Sequence, residues 1–413
     1  MASLNDTEAR ARQYARIKYS LAIFDILYAL ILVLAFLSLG LPKVVVSRLS
    51  LVSSSTYFLI PAFLFILSLG YHILNFPLEF YQAFILEHKF SLTKQRFGGW
   101  AIDQLKGGML FYIFSLILIS VFYFTLRGMP RHWWLAVAAF WVFFSVFIAR
   151  IMPVFIVPLF FKYRKLEDEN LRQRVMGLAD KMKVKILDVF EIDFSKKTLK
   201  ANAAFVGLGD TRRVILADTL KDKYTLAEIE VILAHEFAHY KLKHLIRLVL
   251  VNSSATGVLF YIIFKTNAYA LSLFGFTSLS DIAALPLVFL YLMLFGLISQ
   301  PFENFISRAF ERDADLLALK VTADKEAFIS AMNKLAGQNL ADRSPHPLIK
   351  FFFFDHPPID ERIKLANRNG VRPRNGETGS DPVSISGSQR RGGRRGLMRR
   401  VHRGNALQRL DRI

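Results

Sequence analysis

Residues 225–244 read T-L-A-E-I-E-V-I-L-A-H-E-F-A-H-Y-K-L-K-H, with H-E-F-A-H at the centre: His235, Glu236 and His239. Residues four apart on a helix share a face. His235 and His239 can therefore offer two imidazoles to one metal ion, with Glu236 one step round beside it. Two neutral His ligands, an open position for water and a carboxylate to take the water's proton make the zinc-peptidase arrangement. The pattern is short, and chance matches occur on unrelated helices, so the flanks matter. Thr225 to Glu228 has the spacing of a capping box and starts a helix. Ile229 to Leu233 is largely apolar, which buries the helix sides. Two His and a Glu on a buried helix are costly unless something compensates them; a zinc ion would.

Composition places this helix in a membrane protein. Of 413 residues, 53% are hydrophobic and 39 are Phe, and the mean hydropathy is positive. The chain has no Cys, which excludes disulfides and thiolate metal sites. Any zinc must be held by His and carboxylate. Much of the net charge of +20 falls in the last forty or so residues, so it does not mark a nucleic-acid-binding domain, and no specific nucleic-acid partner is expected.

The hydropathy pattern predicts a mainly α polytopic bundle of about six spans. Residues 1–18 are a basic, polar, cytosolic segment with Arg10, Arg12, Arg16 and Lys18. Residues 19–162 hold spans 1–4: 19–41, 55–76, about 109–126, and a long run from Trp133 that kinks at Pro153 and Pro158. Residues 77–106 form a cytosolic loop between the second and third. Residues 163–245 are a small cytosolic α+β segment ending in the H-E-x-x-H helix, with a helix over Leu171–Lys183 and strands at Ile186–Ile192, Ala203–Val206 and Val214–Ala217. Spans 5 and 6 lie in 246–301, the last stopped by Pro301. Residues 302–370 are cytosolic helices, 302–321 and 324–340 among them. Residues 371–413 form a disordered Arg-rich tail suited to anionic lipid. Six spans with a basic N-terminus put the H-E-x-x-H helix at the cytosolic membrane surface.

A catalytic zinc takes three protein ligands. In N-F-I-S-R-A-F-E-R-D-A-D, residues 304–315, Glu311 and Asp315 share a helical face. Glu311 could complete a His-His-Glu site, and Asp315 could hold the outer nitrogen of a ligand His. The plainer reading is a charged surface in which Arg308 pairs with Glu311 at i+3. His244, five residues past His239, points away from the metal face and reads as structural or as a support. His356, in D-H-P-P-I-D-E-R, is fixed by Pro357 and Pro358 and could hydrogen-bond an oxyanion. Arg362 could bind a substrate carboxylate or carbonyl; a surface Arg in a Pro-rich turn is the alternative.

Taken together, the chain resembles the CAAX prenyl protease 1 family of multi-spanning zinc metalloendopeptidases over about residues 55–367. The likeness rests on P-L-E-F-Y-Q-A-F-I-L-E-H-K-F at 77–90, I-V-P-L-F-F-K-Y at 156–163, K-A-N-A-A-F-V-G at 200–207 and R-V-I-L-A-D-T-L at 213–220. It continues through H-E-F-A-H-Y-K-L-K-H at 235–244, S-R-A-F-E-R-D-A-D at 307–315 and H-P-P-I-D-E-R at 356–362. The resemblance implies one Zn2+ per chain on His235, His239 and Glu311, with Glu236 as general base and Asp315 behind a ligand His. It implies that Asn202 and Ala203 lie on an edge strand that binds substrate backbone, and that His356 and Arg362 contact substrate. It also implies helices enclosing an intramembrane chamber, membrane lipids as neighbours, and prenylated or hydrophobic peptides as substrates. Ser91 and Ala204 depart from the family's usual Gly and aromatic, and the family's first span is replaced by the basic segment. The rival functions are a quality-control protease of the HtpX type and a non-catalytic lipid-binding scaffold; an intact Glu236 argues against the scaffold.

Overall fold

The computed structural model describes residues 4–207 and 212–369; the Arg-rich stretch read as a lipid-contacting tail lies outside them. Among the described residues six helices are long and apolar enough to cross a membrane. They are α1 (Leu4–Ser38), α3 (Thr56–Phe80), α5 (Phe97–Gly128), α6 (Trp133–Ile151), α10 (His244–Leu273) and α11 (Leu285–Thr322), with the ten-residue α2 (Leu41–Ser50) between the first two. The chain is mainly helical, with one small sheet.

Three boundaries differ from the sequence expectation, each for a physical reason. The basic segment is the first part of α1 rather than a separate polar arm. Its Arg residues alternate with Ala11, Tyr14 and Ala15, a buried stripe at helical spacing. That stripe packs on Leu86, Phe90, Leu92 and Leu340.

The expected loop at 77–106 is mostly helical. Pro77 lies inside α3, which runs on through a π-helical turn at Tyr81–Ile85 into α4 (Leu86–Lys89). Phe76, Phe80 and Phe84 recur at i+4 and stack at 5.8 and 5.3 Å. Phe80 and Phe84 also pack on Trp100 of α5, at 5.3 and 5.7 Å. This aromatic ladder outweighs the one backbone bond that Pro77 removes.

Pro301 does not stop the sixth span. α11 runs unbroken for 38 residues, about 57 Å at 1.5 Å per residue, and merges the expected span with the expected helix over 302–321. Pro301 is buried, and partners on both sides hold the helix. Asn304 Nδ2 donates to Phe352 O (2.7 Å), and Arg308 donates to Lys350 O and Phe354 O (3.1 and 2.5 Å), tying α11 to α13 (Pro347–Phe353). After α6 the chain does kink at its prolines: a π-helical turn at Met152–Ile156 is followed by a 3-10 turn at Val157–Leu159.

The sheet has the order β1-β2-β4-β3, with β1 Tyr163–Lys165, β2 Val189–Ile192, β3 Ala203–Val206 and β4 Arg213–Ala217. β2 and β4 are parallel; β1 and β3 join antiparallel at the two edges. β1 was not foreseen, because Y-R-K offers no apolar alternation. Val189, Val214 and Leu216 share a core with Leu171, Val175 and Leu178 of α7 (Glu169–Lys181). After the four-residue α8 (Asp218–Lys221), α9 (Leu226–Lys241) completes that core with Leu233, Ala234, Phe237 and Ala238. α12 (Lys325–Gln338) and α14 (Ile359–Asn369) close over the other side of α9, with Val231, Phe328 and Ala366 in contact.

Candidate metal centre and active site

α9 begins with the expected capping box. Thr225 Oγ1 accepts from Glu228 N (3.3 Å) and Glu228 Oε2 accepts from Thr225 N (2.7 Å). Glu228 also accepts from Ser330 Oγ (2.5 Å) and Lys334 Nζ (2.7 Å) of α12, so the helix start is fixed in tertiary structure. Burial raises this carboxyl, but Lys334, Ser330 and the Thr225 amide more than offset it and hold it below the ordinary carboxylate range.

The approach of α9 to α11 is set by small residues. Ala234 and Ala238 on α9, and Ala314 and Ala318 on α11, are all fully buried in one core. Alanines at i and i+4 on both helices let the backbones come close. The short carboxylates of α11 then reach the imidazoles. His235 Nε2 and His239 Nε2 are 3.1 Å apart, and each is 3.2 Å from an oxygen of Glu311. Asp315 Oδ1 lies 2.9 Å from His235 Nδ1. A carboxylate only accepts, so His235 Nδ1 carries a hydrogen, which leaves Nε2 as the atom that would turn a lone pair to a cation shared with His239 and Glu311.

Among the described residues, His235, His239 and Glu311 form the one group with the spacing of a metal site, their ligand atoms within 4.8 Å of one another. Glu311 Oε2 is closed to water, and among the described residues it faces His235 Nε2 at 3.2 Å without a well-formed hydrogen bond. Acceptors facing one another around an orphaned anionic oxygen fit a cation, and two nitrogens with a carboxylate suit zinc. Burial opposes charge on His235, but Asp315 and Glu311 win, and without a metal the imidazole is pushed up to about 9. A cation would displace that proton. Glu236 keeps part of its surface open, and its buried surroundings raise its carboxyl above the usual range.

His356 reaches this centre from the Pro-rich loop between α13 and α14. Its Nε2 is 3.4 Å from Glu311 Oε1, and its Nδ1 is 2.8 Å from Asp355 Oδ1. Asp355 raises the imidazole above its ordinary value. The loop is anchored by Arg308, which the charged-surface alternative would have paired with Glu311. Arg308 instead caps the carbonyl end of α13: it lies on the same buried stripe of α11 as Asn304 and Glu311, one turn before Glu311, where α13 supplies its partners.

Two further expectations need correction. Arg362 is 9% exposed, and its Nε and one terminal nitrogen grip both oxygens of Asp315, at 2.8 and 2.5 Å. That terminal nitrogen also lies 3.3 Å from His235 Nδ1. A guanidinium so engaged orients Asp315 and does not act as an open substrate contact. His244 does not point away: its Nδ1 is 3.1 Å from His239 Nδ1, and its ring stacks on Phe310 at 4.4 Å. Helical spacing fails between His239 and His244 because Lys243 is left-handed (φ 57°) and starts a new helix there. A-H-Y-K-L-K-H held no signal for this, since neither Gly nor Asn stands at the turn.

β3 packs over α9, with Phe205 5.4 Å from both Phe237 and Tyr240. Asn202 O accepts from Ala217 N (3.1 Å). By antiparallel alternation, the backbone groups of Ala203 and Phe205 then face outward from the free edge.

Comparison with known proteins places this arrangement. Residues 4–162 match the description "CAAX prenyl protease N-terminal, five membrane helices", and residues 165–369 match "Peptidase family M48". The "uncharacterized metalloprotease YhfN" of Bacillus subtilis is 29% identical over 371 residues, 88% of this chain and 86% of that one. CAAX prenyl protease 1 of Saccharomyces cerevisiae is 29% identical over 391 residues, 87% of this chain and 85% of that one. The crystal structure of S. mikatae Ste24p superposes with a TM-score of 0.80 at 26% identity, covering 88% of this chain and 89% of that one. Fold and site together define a membrane metallopeptidase. The chain belongs to the CAAX prenyl protease 1 family, and is a zinc metalloprotease of that type.

Proposed function

We propose that one zinc ion per chain is held by His235, His239 and Glu311, and that the enzyme cleaves peptide bonds near the C-terminus of prenylated or hydrophobic substrates. The observation that carries this is the convergence of two Nε2 atoms and a carboxylate beside Glu236. When bound, the ion supplies Lewis acidity and lowers the pKa of a water toward neutrality. Glu236 takes the proton of the attacking water and returns it to the leaving amine. His356 donates to the oxyanion of the tetrahedral intermediate. The outward backbone groups of Ala203 and Phe205, with Asn202 anchoring the strand, pair with the substrate as an added strand. Asp315 and Arg362 hold His235 in its ligating orientation.

Apolar walls of a chamber within the bundle would hold the lipid chain, at about 0.8 kcal/mol per buried CH2. Six spans and the basic face of early α1 support a site on the cytosolic side. The domain roles follow: the helices within 19–162 and 246–301 hold the substrate, and 163–245 with 302–370 carry the chemistry. CAAX prenyl protease 1 names the activity of the relatives. The rival reading, membrane quality control of the HtpX type, is the same chemistry on different substrates.

The test is metal content and cleavage for wild type beside Glu236→Gln, with a farnesylated CAAX peptide and its unprenylated twin. One zinc in both proteins, cleavage in wild type alone and a requirement for the prenyl group are expected. Cleavage of both peptides at equal rates would move the reading to quality control. No bound zinc would sink it.

A further inference from the structure

His244 is a polar side chain in an apolar slot. It is 1% exposed, and its ring lies parallel to that of Phe310 on α11, 4.4 Å away with 7° between the planes. Its Nε2 is closed to water and has no hydrogen-bond partner among the described residues. A phenylalanine would fill the same slot without burying an unpaired polar atom. What the imidazole keeps in return is one polar contact, Nδ1 at 3.1 Å from His239 Nδ1. The backbone leaves its ordinary range to make that contact: Lys243 adopts φ 57° and ψ 33°, a left-handed turn at a residue with a full side chain.

The sense of the contact follows from the metal centre. Two nitrogens of neutral rings at this distance share one hydrogen. His239 turns Nε2 toward His235 and Glu311, at 3.1 and 3.2 Å. A cation there takes the Nε2 lone pair, so the hydrogen of the neutral ring is on Nδ1. His239 Nδ1 then donates and His244 Nδ1 accepts. His244 carries its own hydrogen on Nε2, the buried atom without a partner. The opposite arrangement, with His244 donating, would move the His239 hydrogen to Nε2 and close that atom to a metal.

The two imidazoles of the H-E-F-A-H helix are thus supported differently. Behind His235 stands a carboxylate, Asp315, at 2.9 Å. Behind His239 stands a second ring. Glu311 and Asp315 already bring two carboxylates to the centre. A third, behind His239, would neutralise a bound cation further and weaken its pull on a water. A neutral acceptor fixes the ring without adding charge.

We propose that His244 is a positioning residue for the metal: as a neutral acceptor it holds His239 in the tautomer and ring orientation that leave Nε2 free to ligate. The proposal rests on the zinc-site reading, and its test separates the two.

Zinc affinity is measured by chelator competition in wild type, His244→Phe and His244→Asn, and the melting temperature of each is taken with metal removed. Phe keeps a ring to stack on Phe310 but offers no acceptor. Asn returns an amide oxygen near the place of Nδ1. His244→Phe should bind zinc about 10- to 100-fold more weakly, while its metal-free form melts about as high as wild type. His244→Asn should recover most of the affinity although it loses the stacking. Tautomers are read in the zinc-loaded wild type from nitrogen-15 shifts of the histidine rings, the His244 signals being those absent from both variants. His244 should hold its hydrogen on Nε2. A zinc-loaded wild type with that hydrogen on Nδ1 overturns the proposal. So does an affinity unchanged in His244→Phe, or one that falls in both variants only in step with metal-free stability, as a purely structural role requires. A wild type that binds no zinc would sink the zinc-site reading itself, and this proposal with it.

Discussion

Arg362 of α14 closes on Asp315 of α11 through two nitrogens, across 47 residues of sequence, and both side chains are buried. Because Asp315 in turn faces His235 Nδ1, the last helix of the described chain reaches the candidate metal centre through one carboxylate. Replacing Arg362 with Leu leaves that carboxylate buried without its guanidinium partner, a loss of up to about 3–5 kcal/mol. Arg362→Lys keeps the charge but not the planar fork. Zinc affinity of the Lys variant, measured by chelator competition, should fall about 10- to 100-fold, with Glu236 untouched. Unchanged affinity would refute the orienting role.

Crowding the seam between α9 and α11 should disrupt the centre without touching a ligand. Ala314→Leu places three extra carbons where α11 meets α9 in a fully buried core. Overpacking of this kind costs about 1–3 kcal/mol. Bound zinc should drop together with the melting temperature, while Ala314→Gly should retain the metal. Full metal occupancy in Ala314→Leu would show that the close approach is not what brings Glu311 to the imidazoles.

The start of α9 should confer an acid limb on stability. Glu228 has a folded-state pKa below its unfolded one, about 4.3, because of Lys334, Ser330 and the Thr225 amide. Its contribution is therefore present above the unfolded value and is lost as pH falls through the lower folded value. Glu228→Gln should lower the melting temperature at neutral pH by the equivalent of about 1 kcal/mol, as for a lost cap. It should also flatten the decline on acidification below the ordinary carboxylate range. Parallel curves for the two proteins would contradict this.

On the edge strand, Ala203→Pro removes one outward-facing amide while sparing the ladder to β4. A single lost hydrogen bond is worth about 0.5–1.5 kcal/mol, so kcat/KM should fall about two- to tenfold at normal zinc content. The same change at Ala204, which pairs inward with Ile215, should destabilise the sheet instead. Equal effects at the two positions would argue that substrate does not use this edge.

The reactive helix was legible because its signals are local: a capping box four residues long and two His four apart. Asp315 behind His235 was legible for the same reason, through i+4 spacing from Glu311. Local rules misjudged the places where packing overrides them. Pro77 and Pro301 look like stops, yet aromatic stacking and the ties of Asn304 and Arg308 carry both helices through. His244 looks misdirected until Lys243 turns left-handed. Arg308 looks like a surface charge and Arg362 like a substrate contact, and long-range partners invisible in the sequence bury both.

The unbroken α11 also acts as a gauge. Glu311 stands ten residues beyond Pro301 on one rigid rod, about 15 Å further along it at 1.5 Å per residue. Each residue also turns the rod by about 100°. Distance along the rod and compass bearing toward α9 are thus locked together. Removing one residue between Pro301 and Glu311 would swing Glu311 off the imidazoles, whereas removing seven would nearly restore its bearing but bring it about 10 Å closer to Pro301. The separation between the apolar stretch of α11 and the carboxylate that faces the imidazoles is therefore written into the length of a single helix.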